Sequence, residues 1–340
     1  MMDREVHEAY RAAHMDCAFA GLADCGWLRL TGRDRLDLLH RLSTNNLRGL
    51  EPGQGAPTLL TSPTGRVMAL LTVYAGEDEV YVRAQAGQAA GVARYLNSMI
   101  FWQDEVVVAD LSAEMAQFGL YGPAATERLA GLASAVPDVP AYGWGRATLA
   151  GINVTLHCGG PLEMPAWTVV APLQAAAALA AALATVAVAI DPETLEILRV
   201  EAGLPAWGHE LSDQVTPLEA GLLPAISFNK GCYTGQEVIA RQFNYDKVTR
   251  NLVGLLLEES AAGRVCDGAP VKGPGRGGFV GTAVISPGLG RPIALAVVPR
   301  ELARPGTEVR VLRGEEEFTA TVTELPFQIE PDTHHQKGSS

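Results

Sequence analysis

Several absences narrow the chemistry of this chain. Its five cysteines, Cys17, Cys25, Cys158, Cys232 and Cys266, form no C-x-x-C pair, and their number is odd. Neither a zinc ribbon nor a secreted disulfide framework is expected. The opening MMDREVHEAY has no apolar core of the signal-peptide kind, so the expected compartment is a reducing cytoplasm. Basic residues are outnumbered, 26 against 38 acidic ones, for a formal net charge of −12. General nucleic-acid binding and polybasic membrane attachment are therefore not expected, while a local basic pocket is still allowed. No G-x-S-x-G elbow, H-E-x-x-H helix or EF-hand loop occurs, which removes the common serine hydrolase and metalloprotease readings. Gly273–Gly281 is glycine-rich but lacks the Lys-Ser/Thr ending of a phosphate loop and precedes a strand, so it reads as a β-turn. One long apolar window, Val169 to Ile190, is half alanine and contains Pro172 and Gln174. Leu179, Leu183, Val186 and Ile190 recur in it at helical spacing, which suggests a packed helix, with a membrane span as the alternative.

What is present suits an ordinary globular protein. The 340 residues are 48% hydrophobic and 19% charged. That allows two or three domains and a core that needs neither disulfides nor a structural metal. Strands are expected at Trp27–Leu30, Arg66–Ala75, Glu79–Ala84, Val106–Ala109 and Gln117–Tyr121. Helices are expected after Thr31, with Leu36, Leu39 and Leu42 inward, from Gln88 to Met99, and from Pro123 to Leu132. Strand-like sequence follows at Ala147–Leu156 and Thr168–Ala171, then a helix capped by Asp191 with Pro192 first. Beyond residue 251, short β-runs alternate with Gly and Pro turns, as in a small antiparallel barrel or sandwich.

The segment Lys230 to Arg241, KGCYTGQEVIAR, carries the most chemistry. Thr234 and Glu237 have capping-box spacing, so a helix is expected just after Thr234. Cys232 would then stand before a helix N-terminus, close to Lys230, between Gly231 and Gly235. All of these features favour a thiolate. The bland alternative is a capped turn with an inert cysteine. A second segment runs from Leu198 to Leu211. Arg199 and Glu201 lie near a helix end, and Glu201 could accept hydrogen bonds from a heterocycle. Glu210 reads as half of a surface ion pair, and His209 as a loop histidine.

Lys230–Arg241 resembles the signature of the YgfZ-type folate-binding proteins, which assist iron–sulphur cluster assembly and maintenance. The wider segment Arg199–Gly254, with TPLEAG at Thr216–Gly221, resembles both that family and the aminomethyltransferase (T-protein) of the glycine cleavage system. Gly32 through Thr44–Asn46 to Gly65–Val67, and Thr282–Gly290, fit the same superfamily. The resemblance implies an α+β fold: a cloverleaf of two interleaved α+β domains around a central folate-sized hole, plus a C-terminal antiparallel β-barrel. Residues 1–250 would form the folate-binding core, 251–328 the barrel and 329–340 a disordered tail.

The same resemblance implies tetrahydrofolate or a derivative as cofactor, a transient iron–sulphur cluster, and iron–sulphur client or carrier proteins as partners. Cys232 would be the working thiolate. Glu201 matches the carboxylate near the pterin, with Arg199, Gly231, Tyr233, Gln236 and Glu237 also at the cofactor. Apart from the resemblance, charge complementarity makes Lys230 and Arg241 the cations expected to meet the anionic glutamate tail. The T-protein pattern has an acidic pair before a strand ending in Val-Tyr. Here that strand ends at Val73–Tyr74 and the pair is Ala69 and Leu70. The carboxylate that serves aminomethyl transfer is thus missing. The alternatives are a folate-dependent aminomethyltransferase and a non-catalytic folate-binding scaffold.

Overall fold

The computed structural model describes residues 4–273 and 277–329. The first half of the chain runs α1 (Arg4–Met15), β1 (Ala18–Gly21), β2 (Gly26–Thr31), α2 (Arg35–Leu42), β3 (Gly55–Thr61), β4 (Val67–Ala75), β5 (Glu79–Ala84), α3 (Ala89–Ser98), β6 (Val107–Asp110), β7 (Met115–Tyr121) and α4 (Ala125–Ala130). It continues with β8 (Trp144–Leu149), β9 (Ile152–Cys158), β10 (Trp167–Pro172), α5 (Ala176–Leu183), β11 (Val188–Ala189), α6 (Pro192–Glu201) and α7 (Gln236–Asn244). The remaining strands are β12 (Arg250–Leu257), β13 (Pro270–Val271), β14 (Gly278–Ser286), β15 (Arg291–Pro299), β16 (Glu308–Arg313) and β17 (Glu316–Thr323). The expected tail falls, from residue 330 onward, outside the described residues.

The chain divides into two compact units. The first comprises Met1–Asp191, Leu211–Leu218 and Leu222–Lys247. It holds a five-stranded sheet, β3-β4-β5-β2-β6, and a six-stranded sheet, β11-β1-β7-β10-β9-β8. β1 sits between β11 and β7, so the first strand of the chain belongs to the sheet built mainly from residues 115–189. This is the interleaving expected of the two α+β domains. β4, VMALLTVYA, is the strand that both layers use. Ala69, Leu71 and Val73 pack with Leu38 and Leu39 of α2 and Val92 and Leu96 of α3. Tyr74, on the alternate face, joins Trp27, Trp144 and Val170 where the two sheets meet. Successive strand side chains point to opposite faces, so a strand packed on both sides is apolar along nearly its whole length, with Thr72 the polar exception in β4.

Two sequence-based expectations change here, and three elements, α1, β1 and β3, are additional to those expected. Ala147–Leu156 is not one strand but the hairpin β8–β9. It turns at Ala150 and Gly151, both at positive φ (47° and 82°), and Gly151 supplies that conformation at no steric cost. The apolar window is not one helix reaching Ile190. It is β10, a 3-10 turn (Leu173–Ala175), α5 and then β11, which pairs in parallel with β1. Leu179 and Leu183 of α5 are fully buried, each contributing roughly 1.5–3 kcal/mol. Among the described residues no helix is long and apolar enough to cross a membrane.

The second unit comprises Pro192–Glu210, Glu219–Gly221 and Val248–Ser340. Its six strands close as β12-β15-β14-β13-β16-β17, which leaves no free edge to pair with another chain. Helix α6 begins at Pro192, as expected, and belongs to this unit, although the sequence boundary at 250 placed it with the core. Val200 of α6 packs with Ile293, Leu295 and Phe327.

Candidate functional site

Lys230–Arg241 lies in the first unit and is pinned at two points. The first pin is Lys230, whose ammonium donates to the carbonyls of Ser43 (2.6 Å), Asn45 (3.0 Å) and His40. The last carbonyls of a helix have no partner within it, and the C-terminal end of α2 welcomes a cation. The same ammonium lies 5.2 Å from the Tyr233 ring centroid, a cation–π contact. Burial, and then Arg48, push the Lys230 pKa down to about 8. Burial pushes the Tyr233 phenol up to about 12.

The second pin is Gly235. Its φ is +84°, and a Cβ there would lie 2.5 Å from the Ser62 carbonyl oxygen. Thr61 Oγ1 donates to the Thr234 carbonyl at 2.6 Å. Helix α7 starts one residue later. Between the pins Tyr233 is buried, while Gly231 and Cys232 are exposed. The result is a thiol held outward on a short, tethered loop.

Several sequence-based assignments need correction. The Thr234–Glu237 capping box does not form. Gly235 is the N-cap, with no side-chain cap bond, and Glu237 is exposed. The physical reason is the close approach to Ser62, which only a glycine permits. Tyr233, Thr234 and Gly235 separate Cys232 from the first helical residue, so the thiol stands beyond the first turn, where the dipole effect is felt. Lys230 is turned inward onto backbone carbonyls, so it is a structural cation and not a ligand contact. Arg241 is exposed and makes no ion pair among the described residues. Gln236 is half-buried at the start of α7.

In the second unit, Arg199 is fully engaged. Its guanidinium donates to Glu196 (Nε–Oε2 2.9 Å, Nη2–Oε1 2.5 Å), Glu210 Oε2 (2.9 Å), Thr282 Oγ1 (2.7 Å) and the Leu204 carbonyl (2.6 Å). This corrects its assignment to the cofactor. Glu210, read from sequence as half of a surface pair, has 0% side-chain exposure. Breaking such a buried pair costs about 3–5 kcal/mol, far above the cost for a surface pair. The β14–β15 register shifts between Val280 and Thr282. The bulge residue is Gly281, where a Cβ would lie 2.3 Å from Glu210 Oε1. A bulge re-aims its neighbours, and here it presents Thr282 to Arg199. Glu201 is also buried, and Ser286 Oγ donates to its Oε1 at 2.5 Å. His209 pairs with Asp267 at 2.7 Å on the surface, consistent with a loop histidine.

The sequence matches the GCVT N-terminal domain over residues 2–230 and the glycine cleavage T-protein C-terminal barrel domain over residues 250–328. The chain belongs to the glycine cleavage T-protein family. Among similar proteins, an aminomethyltransferase of Saccharopolyspora erythraea is 32% identical over 96% of this chain and 89% of its own length. A putative chloroplastic transferase of Arabidopsis thaliana is 29% identical over 94% of this chain and 73% of its own length. The crystal structure of glycine cleavage system aminomethyltransferase T from Bartonella henselae superposes with a TM-score of 0.81 at 20% identity, covering 95% of this chain and 89% of that one. The T-protein fold class expected from sequence therefore holds. In β4, Ala69 and Leu70 pair opposite Leu60 and Leu59 and are buried.

The residues that sequence reasoning missed are the acceptors of Lys230. His40, Ser43 and Asn45 lie 185 to 190 positions away in the chain. Only the polar turn at Thr44–Asn46 hinted at them. Thr44 Oγ1 is itself used, donating to the Ala225 carbonyl at 2.6 Å.

Proposed function

We propose that this T-protein family member is a tetrahydrofolate-binding accessory protein that supports assembly or repair of iron–sulphur clusters in client proteins, with Cys232 as its working thiol. One observation carries this reading: the exposed Cys232 sits on a loop tethered on both sides, by Lys230 and by Thr234–Gly235. A loop built so firmly around an outward thiol suits transfer or exchange with a partner. Among the described residues no three His, Cys, Asp or Glu side chains converge to hold a metal. Cys232 alone cannot retain a cluster, so any cluster contact is transient and shared with the client. All five cysteines are free, which suits a reducing compartment, in our reading the cytoplasm.

The folate part is supported by Glu201. Ser286 orients its carboxylate, and a carboxylate is the acceptor that pterin N–H groups require. When bound, tetrahydrofolate would supply one-carbon chemistry; the chain's own residues would bind and orient it.

Two measurements test the reading. In cells lacking this protein, wild type is expected to restore the activity of a cluster-dependent enzyme, and Cys232→Ala is not. Full rescue by Cys232→Ala removes the thiol's role. Calorimetric titration with tetrahydrofolate is expected to show binding that Glu201→Gln weakens at least tenfold, and equal affinity would remove Glu201. A second reading, aminomethyl transfer, is favoured by relatives such as the Saccharopolyspora erythraea enzyme. Folate-dependent turnover of an aminomethylated carrier protein would establish it. Apolar Ala69 and Leu70 argue against that outcome, since neither can shuttle a proton.

A further inference from the structure

A polar cluster that the proposed function does not use lies where the two sheets of the first unit face each other. At its centre is Arg83 of β5, with 13% side-chain exposure. Its counter-ion is Glu163, with 9% exposure, which reaches in from the turn between β9 and β10. The pairing is loose. Arg83 Nη1 donates to Glu163 Oε1 at 3.3 Å and to Thr168 Oγ1 at 3.2 Å. A well-formed arginine–carboxylate pair is bidentate, at about 2.7–2.9 Å. The same Glu163 oxygen also accepts from Thr72 Oγ1 at 2.6 Å and Tyr74 Oη at 3.4 Å.

The surroundings hold more polar capacity than one glutamate uses. His157 Nδ1, Tyr121 Oη and Gln117 Oε1 are buried without a hydrogen-bond partner. Their residues are 1%, 3% and 4% exposed. Strand register places them together. Thr168 is paired with both His157 and Gly119, and Gln117 and Tyr121 flank Gly119 on the same face of β7. The Tyr121 hydroxyl lies directly over Gly119, where a Cβ would come within 2.4 Å of it. Buried polar atoms are normally satisfied; beside the Arg83 guanidinium, Tyr121 Oη and, in its Nδ1–H tautomer, His157 have a donor to offer an anion, whereas Gln117 Oε1 is an acceptor.

The turn that carries Glu163 is a closed strap. Gly159 N–H donates to the Ala166 carbonyl at 2.9 Å, and Glu163 N–H to the Gly160 carbonyl at 2.8 Å. Leu162 N–H donates to Tyr142 Oη at 3.0 Å. Among the described residues, the charged contact of this strap with the sheets is the Arg83 pair.

We propose that the Arg83 cluster is a binding site for a ligand carboxylate, and that Glu163 occupies it as a built-in substitute. An incoming carboxylate takes both arms of the Arg83 guanidinium and the Thr72 and Thr168 hydroxyls, and the Glu163 strap swings out to solvent. The site stands whether or not the folate reading is right. The carboxylate can come from a small organic acid or from the tail of a larger ligand, and the test separates these sources.

The experiment uses the full chain. Calorimetric titration with glutarate, tetrahydrofolate and a tetrahydropterin lacking the glutamate tail is run on wild type, Glu163→Gln and Arg83→Gln/Glu163→Gln. Glu163→Gln is expected to bind at least tenfold tighter than wild type, and the double variant is expected to lose that gain. A gain with glutarate identifies a small acid. A gain with tetrahydrofolate but not with the tail-less pterin identifies the tail. No gain with either carboxylate, or a gain that survives loss of Arg83, overturns the proposal. Should the variants fail to fold, hydrogen exchange on wild type decides. Saturating glutarate or tetrahydrofolate is expected to speed exchange of the Leu162 and Glu163 amides at least tenfold, and unchanged rates with both overturn it. Loss of tetrahydrofolate affinity in Glu201→Gln tests the separate folate reading and leaves the glutarate arm untouched.

Discussion

Removing the Lys230 ammonium tests the anchoring of the candidate loop most directly. Lys230→Met keeps most of the apolar stem and deletes the charge. Three backbone carbonyls, of His40, Ser43 and Asn45, then lose their shared donor. A hydrogen bond to a charged group is worth about 1.5–3 kcal/mol net. The favourable placement of a cation at the C-terminal end of α2 adds roughly 0.3–1 kcal/mol. Against this, the variant no longer has to desolvate an ammonium, a cost already visible in the Lys230 pKa pushed down to about 8. Setting three bonds against that cost leaves an expected loss of about 3 kcal/mol. Two-state units are stable by only about 5–15 kcal/mol, so the loss is easily read. Urea unfolding should show a lower midpoint at unchanged slope. Hydrogen exchange should show faster opening at Gln236, whose amide donates to the Tyr233 carbonyl at 3.2 Å. A loss below about 0.5 kcal/mol, within the range of ordinary surface changes, would refute the claim that Lys230 tethers the Cys232 loop.

Two further predictions concern buried groups. Burial, and then Arg83, push the His157 pKa from 6.5 down to about 3. The folded protein thus keeps this ring neutral while the unfolded chain protonates it, so stability falls as pH drops from about 6.5 towards 3, by at most roughly 4–5 kcal/mol. His157→Gln should flatten that part of the stability–pH curve, and an unchanged curve would refute the assignment. Gly281→Ala places a methyl against Glu210, which Arg199 and the Ala206 amide hold in place. An expected loss of about 1–3 kcal/mol from overpacking should appear in thermal unfolding, and a neutral result would show that the bulge can relax.

Local patterns were legible wherever one chain segment decided the outcome alone. Glu79–Ala84 was read to the residue, because its alternation of apolar and polar positions is a period-two signal. Leu39 and Leu42 in α2, Val92 and Leu96 in α3, and the Pro192 start of α6 followed from helical spacing and Pro geometry, whereas Leu38 is fully buried in place of the expected Leu36, which is half-buried. The barrel strands followed from β-rich runs between Gly and Pro turns. β1 could not be read, since AFAG is too short to carry a period and is ordered by pairing with β7 and β11.

At the candidate site, sequence by itself determined the residue types. It supplied a cysteine among glycines in a segment with a lysine and a helix, an apolar pair at positions 69 and 70, and a carboxylate at position 201. Tertiary structure alone decided what each one does. Lys230 and Arg199 are long cations whose partners are chosen by whatever the fold brings within reach. Lys230 found carbonyls nearly two hundred residues away, and Arg199 found a hydroxyl re-aimed by a bulge. Glu210 became a buried ion because a glycine in the barrel left room for it. Charge and hydrogen-bonding capacity are written in the chain, but desolvation and partner geometry exist only after folding, and these determine which charges bind a ligand and which hold the protein together.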